Sequence, residues 1–331
     1  MSDLKQLLKE LSEADGLGGI SDALEVAEQH LKKYASVRRE GNNLIGEMKG
    51  KSDYTVMLDA HIDQIGMVVT AIKKGFLRVA NVGGIDRRML AAMRVNIHGK
   101  RTVTGAFCST PTHLGNVDKA KNIEDMYIDT GLGEKASEIV SVGDRVTFRQ
   151  SFSDLSGTCV TGKSLDNRAG CAALIRCAKT LSGKELPCNV VFLLSDAEEI
   201  NGSGAKTRAF SVDPDEAVAV DVSFGNAPDI EPEKTGVLGD GAMLGISPLL
   251  AKNVTDALKS AAVKSGAKFQ YEVMGGKTAT NADHIALTRQ GVPTGLLSIP
   301  LRNMHTPVEV VDLTDVESVA TILSTYILSK Q

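Results

Sequence analysis

Through its second half the chain alternates short, unbroken apolar runs with segments of helical periodicity, and few folds accommodate that rhythm. Val190-Val191-Phe192-Leu193-Leu194, Ala217-Val218-Ala219-Val220 and Thr294-Gly295-Leu296-Leu297-Ser298-Ile299 are too short for helices and carry no polar face. Such runs are strands buried on both sides. Residues 166–181, 249–265, 283–289 and 315–328 read as helices, with Gly266 and Gly291 placed as stops. The alternation implies an α/β fold, a mostly parallel sheet sandwiched by helices.

The first half begins in the same style. Leu4, Leu7, Leu8 and Leu11 follow a helical period, as do Ala23, Leu24, Ala27 and Leu31 behind Ser21 as N-cap. Residues 43–46 and 55–58 look like neighbouring strands. From about Gly66 to Ser156 the texture changes. Short β-rich runs such as Gly66-Met67-Val68-Val69, Phe76-Leu77-Arg78-Val79 and Arg145-Val146-Thr147-Phe148 are separated by turn residues, and only 123–127 and 134–139 suggest short helices. This stretch reads as a small β domain inserted into a larger one: residues 1–66 with 157–331, interrupted by 67–156.

Composition narrows the function. The 331 residues are 42% hydrophobic and 24% charged, ordinary for a globular chain. A net charge of −4 provides no basic field for nucleic acid or an anionic membrane. No apolar stretch is long enough to span a bilayer, and the start lacks a basic segment followed by an apolar run. The five cysteines are irregularly spaced and form no CxxC pair. That fits core cysteines in a reducing compartment, hence a cytoplasmic protein, and disfavours a thiolate zinc site.

The acidic and histidine residues fall where chemistry would need them. One apolar run leads into Asp59, His61 and Asp63; the next into Asp196, Glu198 and Glu199; a third into Asp221; and His305 follows the last. Sites in open α/β sheets form beyond the carboxyl ends of strands, so these groups can converge. Asp166 opens a helix instead, where a carboxylate is an ordinary cap, but its two oxygens could also bridge two cations. Taken singly, each residue has an ordinary structural explanation: a loop histidine, a solvated Glu-Glu pair, a turn cap. Their placement at strand ends, in order, favours a shared site. The donors are nitrogen and oxygen without sulfur, which suits zinc, cobalt or manganese. Crowded carboxylates without cations would raise one another's pKa values, a cost that two divalent ions remove. The adjacent Glu198 and Glu199 can divide the work between metal binding and general base. His30, His98 and His113 have no such context, and His284 is at most a supporting group.

Together these residues resemble the dinuclear-metal aminopeptidases of the glutamyl, deblocking and tetrahedral TET type. The resemblance covers nearly the whole chain and is carried by Ala60-His61-Ile62-Asp63, Ser164-Leu165-Asp166-Asn167-Arg168, Glu198-Glu199, Asp221-Val222 and Met304-His305-Thr306-Pro307-Val308-Glu309. It implies a zinc-exopeptidase-like fold whose inserted small β-barrel-like domain mediates dimerisation, with dimers assembling into dodecamers. It implies that His61 and Asp221 hold one ion, that Glu199 and His305 hold the other, and that Asp166 bridges them. Glu198 would be the general base, Asp63 would fix the tautomer of His61, and the Asp166–Asn167 peptide would be cis. The family pattern usually has Glu where Gln64 stands and often Asp where Asn281 stands. The expected activity is removal of N-terminal residues from peptide substrates by a water activated between two metal ions. Another amidohydrolase or carboxypeptidase on the same scaffold, or a non-catalytic scaffold protein, would be the alternatives. The latter would predict a missing ligand or base, and none is missing.

Overall fold

A computed structural model describes residues 1–111, 113 and 121–330. The chain opens with α1 (Ser2–Glu13) and α2 (Asp22–Leu31), followed by β1 (Ser36–Glu40), β2 (Asn43–Met48) and β3 (Thr55–His61). It then forms β4 (Gly66–Lys73), β5 (Phe76–Val82), β6 (Arg94–His98), β7 (Thr102–Phe107), β8 (Ile128–Asp129), α3 (Ala136–Ile139) and β9 (Arg145–Phe148). The remainder runs β10 (Ser153–Asp154), β11 (Cys159–Gly162), α4 (Leu165–Leu181), β12 (Asn189–Ser195), α5 (Ser203–Val212), β13 (Glu216–Phe224), β14 (Ala242–Ile246), α6 (Lys252–Ser265), β15 (Phe269–Val273), α7 (Asn281–Ile285), β16 (Thr294–Arg302), β17 (Glu309–Asp312) and α8 (Leu313–Leu328). Among the described residues, no helix is long and apolar enough to cross a membrane.

The large sheet is mixed, in the order β1-β2-β12-β3-β13-β16-β17-β11-β10, with β14 and β15 branching from β16. Of the mostly parallel sheet expected from the sequence, parallel pairing is therefore found at its centre and in the β14/β15 branch. At the centre β12, β3, β13 and β16 run parallel, while β1/β2, β2/β12, β16/β17, β17/β11 and β11/β10 are antiparallel. Connection length is the reason. Parallel neighbours need a long crossover, whereas β1 and β2 are joined through Gly41 and Asn42 alone, a hairpin that forces reversal.

Strand alternation sorts the sheet's two faces. Val56, Leu58, Val190, Phe192 and Leu194 join the core under α1, α2, α4, α6 and α8. Met57, Val191 and Leu193 point the other way, against Ala205 and Ala209 of α5 and Ile285 of α7. The α4 helix is buried nearly all round, and its run of Ala169, Ala172, Ala173 and Ala178 lets it lie close between sheet and outer helices. In α8, Val316, Val319, Ala320, Leu323 and Ile327 form the inner stripe, and Asp312 caps the helix by accepting the Thr314 N–H at 2.7 Å. Each fully buried Leu or Phe in these layers contributes about 1.5–3 kcal/mol.

Between β3 and β10 the chain leaves the sheet, and β4-β5-β8-β7-β6-β9 close a barrel. The barrel has its own apolar interior, including Met67, Leu77, Val95, Ile97, Ile128 and Phe148. Gly105 is required where β7 faces that interior, because a Cβ there would lie 2.5 Å from Ile128 Cγ2.

Candidate metal centre

The central parallel strands deliver the polar residues to one edge of the sheet. His61 is the last residue of β3, in register with Ser195 at the end of β12. Glu198 and Glu199 follow within a few residues of that end. Asp221 lies inside β13, not past its end as the sequence suggested: the strand continues to Phe224. Strand geometry therefore fixes the direction of its side chain. His305 follows β16 in a turn where both Asn303 (φ 57°) and His305 (φ 61°) are left-handed. Asp166 stands in the first turn of α4 with non-helical dihedrals, and its peptide bond to Asn167 is cis. The Asn167 side chain donates to Val220 O at 2.7 Å, which ties this turn to β13 beside Asp221.

Two three-residue groups result, and they share Asp166: His61, Asp166 and Asp221, then Asp166, Glu199 and His305. In the first, His61 Nε2 lies 3.1 Å from Asp166 Oδ1 and 3.6 Å from Asp221 Oδ1. In the second, His305 Nε2 lies 3.5 Å from both Asp166 Oδ2 and Glu199 Oε2. Most of these separations exceed the usual hydrogen-bond limit of about 3.2 Å. They match a different geometry, since a tetrahedral ion with bonds of about 2.1 Å spaces its ligand atoms roughly 3.4 Å apart. Each oxygen of Asp166 belongs to one group. Glu198 stands beside them, its Oε2 3.9 Å from His61 Nε2, and is more exposed than the other carboxylates.

The electrostatics fit the same arrangement. Burial pushes the Glu198 carboxyl up to about 8, with Asp221, Asp166 and Asp63 adding to the rise. Burial, then the Asp166 charge, takes Glu199 well above the usual range, and burial raises Asp221. Burial opposes charge on His61, but Asp166, Asp221 and Asp63 outweigh it and push its pKa well above the usual value. Burial alone would raise Asp166 too, yet His305 and His61 keep it below the usual carboxylate range. A buried cluster this rich in carboxylate calls for cations, and its nitrogen and oxygen donors suit divalent metal ions.

A supporting layer fixes these side chains. Asp63 Oδ1 lies 3.3 Å from His61 Nδ1, and its two oxygens accept the backbone N–H of Glu198 at 3.1 Å and of Glu199 at 3.2 Å. One carboxylate thus orients a histidine and the glutamate turn together. Glu309, whose role the sequence did not disclose, does the same on the other side. Its Oε2 accepts the Asp166 N–H at 3.1 Å and its Oε1 accepts the His305 N–H at 3.0 Å. Burial and the nearby Asp166 charge push its carboxyl well up. Asn281 donates to Asp59 Oδ2 at 2.9 Å and to Ser195 Oγ at 3.0 Å, behind His61. Gln64 Oε1 accepts from buried Lys163 at 3.3 Å and from Arg168 at 3.4 Å.

The barrel side of the molecule also reaches the site. Gly84, just past β5, comes so near that an added Cβ would be 2.9 Å from His305 Nδ1, and one on Gly83 would be 3.2 Å from Glu199 Oε2. Three other histidines have partners elsewhere. His30 pairs with Glu10 at 2.7 Å, His98 with Thr147 at 2.9 Å, and His284 packs against Gly202 in the turn after Glu199. In front of the cluster opens a cleft of about 570 Å³, bounded on one side by His305 and Glu199 and on the other by β13 and β15.

Comparison with known proteins finds peptidases. The M42 glutamyl aminopeptidase family matches residues 42–322. The chain is 29% identical to the lysyl aminopeptidase of Pyrococcus furiosus, over 95% of this chain and 93% of that protein. Among solved structures, an aminopeptidase from the archaeon Desulfurococcus kamchatkensis superposes with a TM-score of 0.93 at 28% identity, over 99% of this chain and 95% of the other. The TET1 peptidase of Pyrococcus horikoshii, described as assembling into a tetrahedron or a large octahedral shell, gives a TM-score of 0.87 at 30% identity, over 99% and 100% of the two chains.

Proposed function

Since the chain belongs to the M42 glutamyl aminopeptidase family, we propose that its metal centre takes two divalent ions bridged by Asp166 and uses Glu198 to hydrolyse the first peptide bond of a substrate. The protein is a metal-dependent aminopeptidase, a hydrolase. His61 and Asp221 would hold one ion, Glu199 and His305 the other, and the two oxygens of Asp166 would face one ion each. Zinc, cobalt and manganese all suit this donor set. When bound, the ions supply Lewis acidity that acidifies a water and polarises the scissile carbonyl. The chain's own part is proton handling and positioning. The Glu198 carboxylate accepts a proton from the attacking water and returns it to the departing amide nitrogen. Asp63 keeps Nδ1 of His61 engaged, so that Nε2 faces the cluster.

One observation carries this reading: the two ligand groups share Asp166, with edges of 3.1 to 3.6 Å. The test is Glu198→Gln. It should keep its metal content while kcat falls by about 10²- to 10⁴-fold. Wild-type turnover in a fully loaded variant would remove Glu198 from the role of base.

We propose further that residues 67–156, which contain the barrel, form an inserted domain that pairs two copies of the chain, with larger assemblies built from such dimers. The assembly described for the Pyrococcus horikoshii relative supports this. Sedimentation at micromolar concentration should give a dimer or a multiple of it, and a monomer would overturn it. Which N-terminal residue the enzyme prefers is not decided by kinship. The family is called glutamyl and one relative lysyl, side chains of opposite charge.

A further inference from the structure

The cleft continues from the metal centre along β13 to the branch strands β14 and β15. Ser223 lies two residues beyond Asp221, on the same face of β13, and Ser298 of β16 is directly opposite Asp221 in register. Both hydroxyls donate to one carboxylate, that of Glu272 in β15: Ser298 Oγ to Oε2 at 2.6 Å, and Ser223 Oγ to Oε1. Glu272 therefore stands one side chain away from Asp221, and it lines the cleft.

Among the described residues this carboxylate pairs with no cation, and its hydrogen bonds are to the two neutral hydroxyls. Burial lifts its carboxyl above the usual range, the serines draw it back only in part, and the Asp221 charge raises it further. The lysine in the cleft wall does not neutralise it, because Lys234 pairs with Glu231 at 2.6 Å in an exposed position. The cleft is also lined by Met243 and Met274, with Glu233, Thr235 and Thr278 among its polar residues.

We propose that Glu272 is the specificity-determining residue of this cleft, and that the preferred substrates are peptides whose N-terminal residue carries a long cationic side chain, lysine or arginine. The proposal rests on the aminopeptidase reading of the same site. A methylene stem matches the two methionines, and its cationic head would meet the Glu272 carboxylate. An aliphatic N-terminal residue would strip water from Glu272 and give it no partner. A glutamyl residue would add another negative charge to a cluster that already has too many.

The test compares metal-loaded enzyme on aminoacyl p-nitroanilides of lysine, arginine, norleucine and glutamate, with Nα-acetyl-lysine as the blocked control. Lysine and norleucine share a stem and differ in the ammonium. The expected kcat/KM for lysine exceeds that for norleucine by about tenfold or more, the factor a hydrogen bond to a charged group supplies, and glutamate is the poorest. Glu272→Gln should lower the lysine-to-norleucine ratio by a similar factor. Should that variant fail to fold, inhibition of the wild type by lysinamide against norleucinamide reads the same contrast, again about tenfold in favour of the cation. Equal values for lysine and norleucine in the wild type overturn the proposal and leave the aminopeptidase reading intact. Equal losses on both substrates in Glu272→Gln also overturn it, by placing Glu272 on the substrate's α-ammonium. Cleavage of only the blocked substrate would sink the aminopeptidase reading and this inference with it.

Discussion

Replacing Glu309 by glutamine probes how the ligands are held. The side chain is 1% exposed, and its two oxygens accept the backbone N–H groups of Asp166 and His305 at 3.1 and 3.0 Å. Those two residues belong to the ligand groups, one shared and one terminal. Glutamine keeps the shape but offers a single oxygen, so one buried N–H would face an NH₂ group. A buried donor left without an acceptor costs about 1–3 kcal/mol. At roughly 1.4 kcal/mol per factor of ten, a loss felt wholly by the ligands weakens metal binding by about five- to a hundredfold. The assay is a zinc titration of chelator-stripped protein against a competing indicator. Thermal unfolding of the metal-free forms would run beside it, to separate loss of folding from loss of binding. Zinc affinity within twofold of wild type, in a variant that has folded, would show that Glu309 does not position the ligands.

Two further changes address the neighbouring contacts. Gly84→Ala would place a methyl 2.9 Å from His305 Nδ1. Metal content and activity should both fall while the barrel and sheet remain folded, which circular dichroism with metal analysis reads; unchanged metal content would show that His305 yields freely. Asp15→Asn tests the buried charges beneath the site, where Asp15 meets Lys163 at 2.7 Å, His98 at 3.5 Å and Asn96 at 3.4 Å. Burial opposes ionisation of Asp15, but the Lys163 ammonium outweighs it and the carboxyl is held below its usual value. Its folded pKa lies below the unfolded one of about 3.9, so its stabilisation is complete above that pH and is lost as pH falls through the folded value. Urea midpoints between pH 3 and 7 should therefore fall less steeply toward acid in Asp15→Asn, and parallel curves would contradict this.

Much of the architecture was visible in the sequence because the central strands are apolar on both faces. Val190 to Leu194, Ala217 to Val220 and the run from Thr294 lie within β12, β13 and β16. The antiparallel flanks were not visible, since β11 and β17 are short and pair with partners far away in the chain. The α5 helix escaped notice because it buries only Gly204, Ala205 and Ala209, which make no apolar stripe. Closure of the barrel places β8 between β5 and β7, a long-range choice that local periodicity does not encode. The candidate ligands His61, Glu199, Asp221 and His305 were legible because each ends, extends or follows a recognisable apolar run, and Asp166 because it opens the long helix α4. Glu309 was not, because its task is to accept two backbone N–H groups from separate loops. A hint existed in an acidic residue opening the apolar run Val310-Val311. Glu272 left a similar trace, since strand alternation in β15 sets Glu272 and Gln270 apart from Phe269, Tyr271 and Val273.

Diffraction from zinc-loaded crystals, measured across the zinc absorption edge, tests the bridged pair of ions most directly. Two anomalous peaks roughly 3.5–4 Å apart should flank the Asp166 carboxylate, one beside His61 and Asp221 and the other beside Glu199 and His305. A single peak at saturating zinc, with Asp166 bound through one oxygen only, would contradict it.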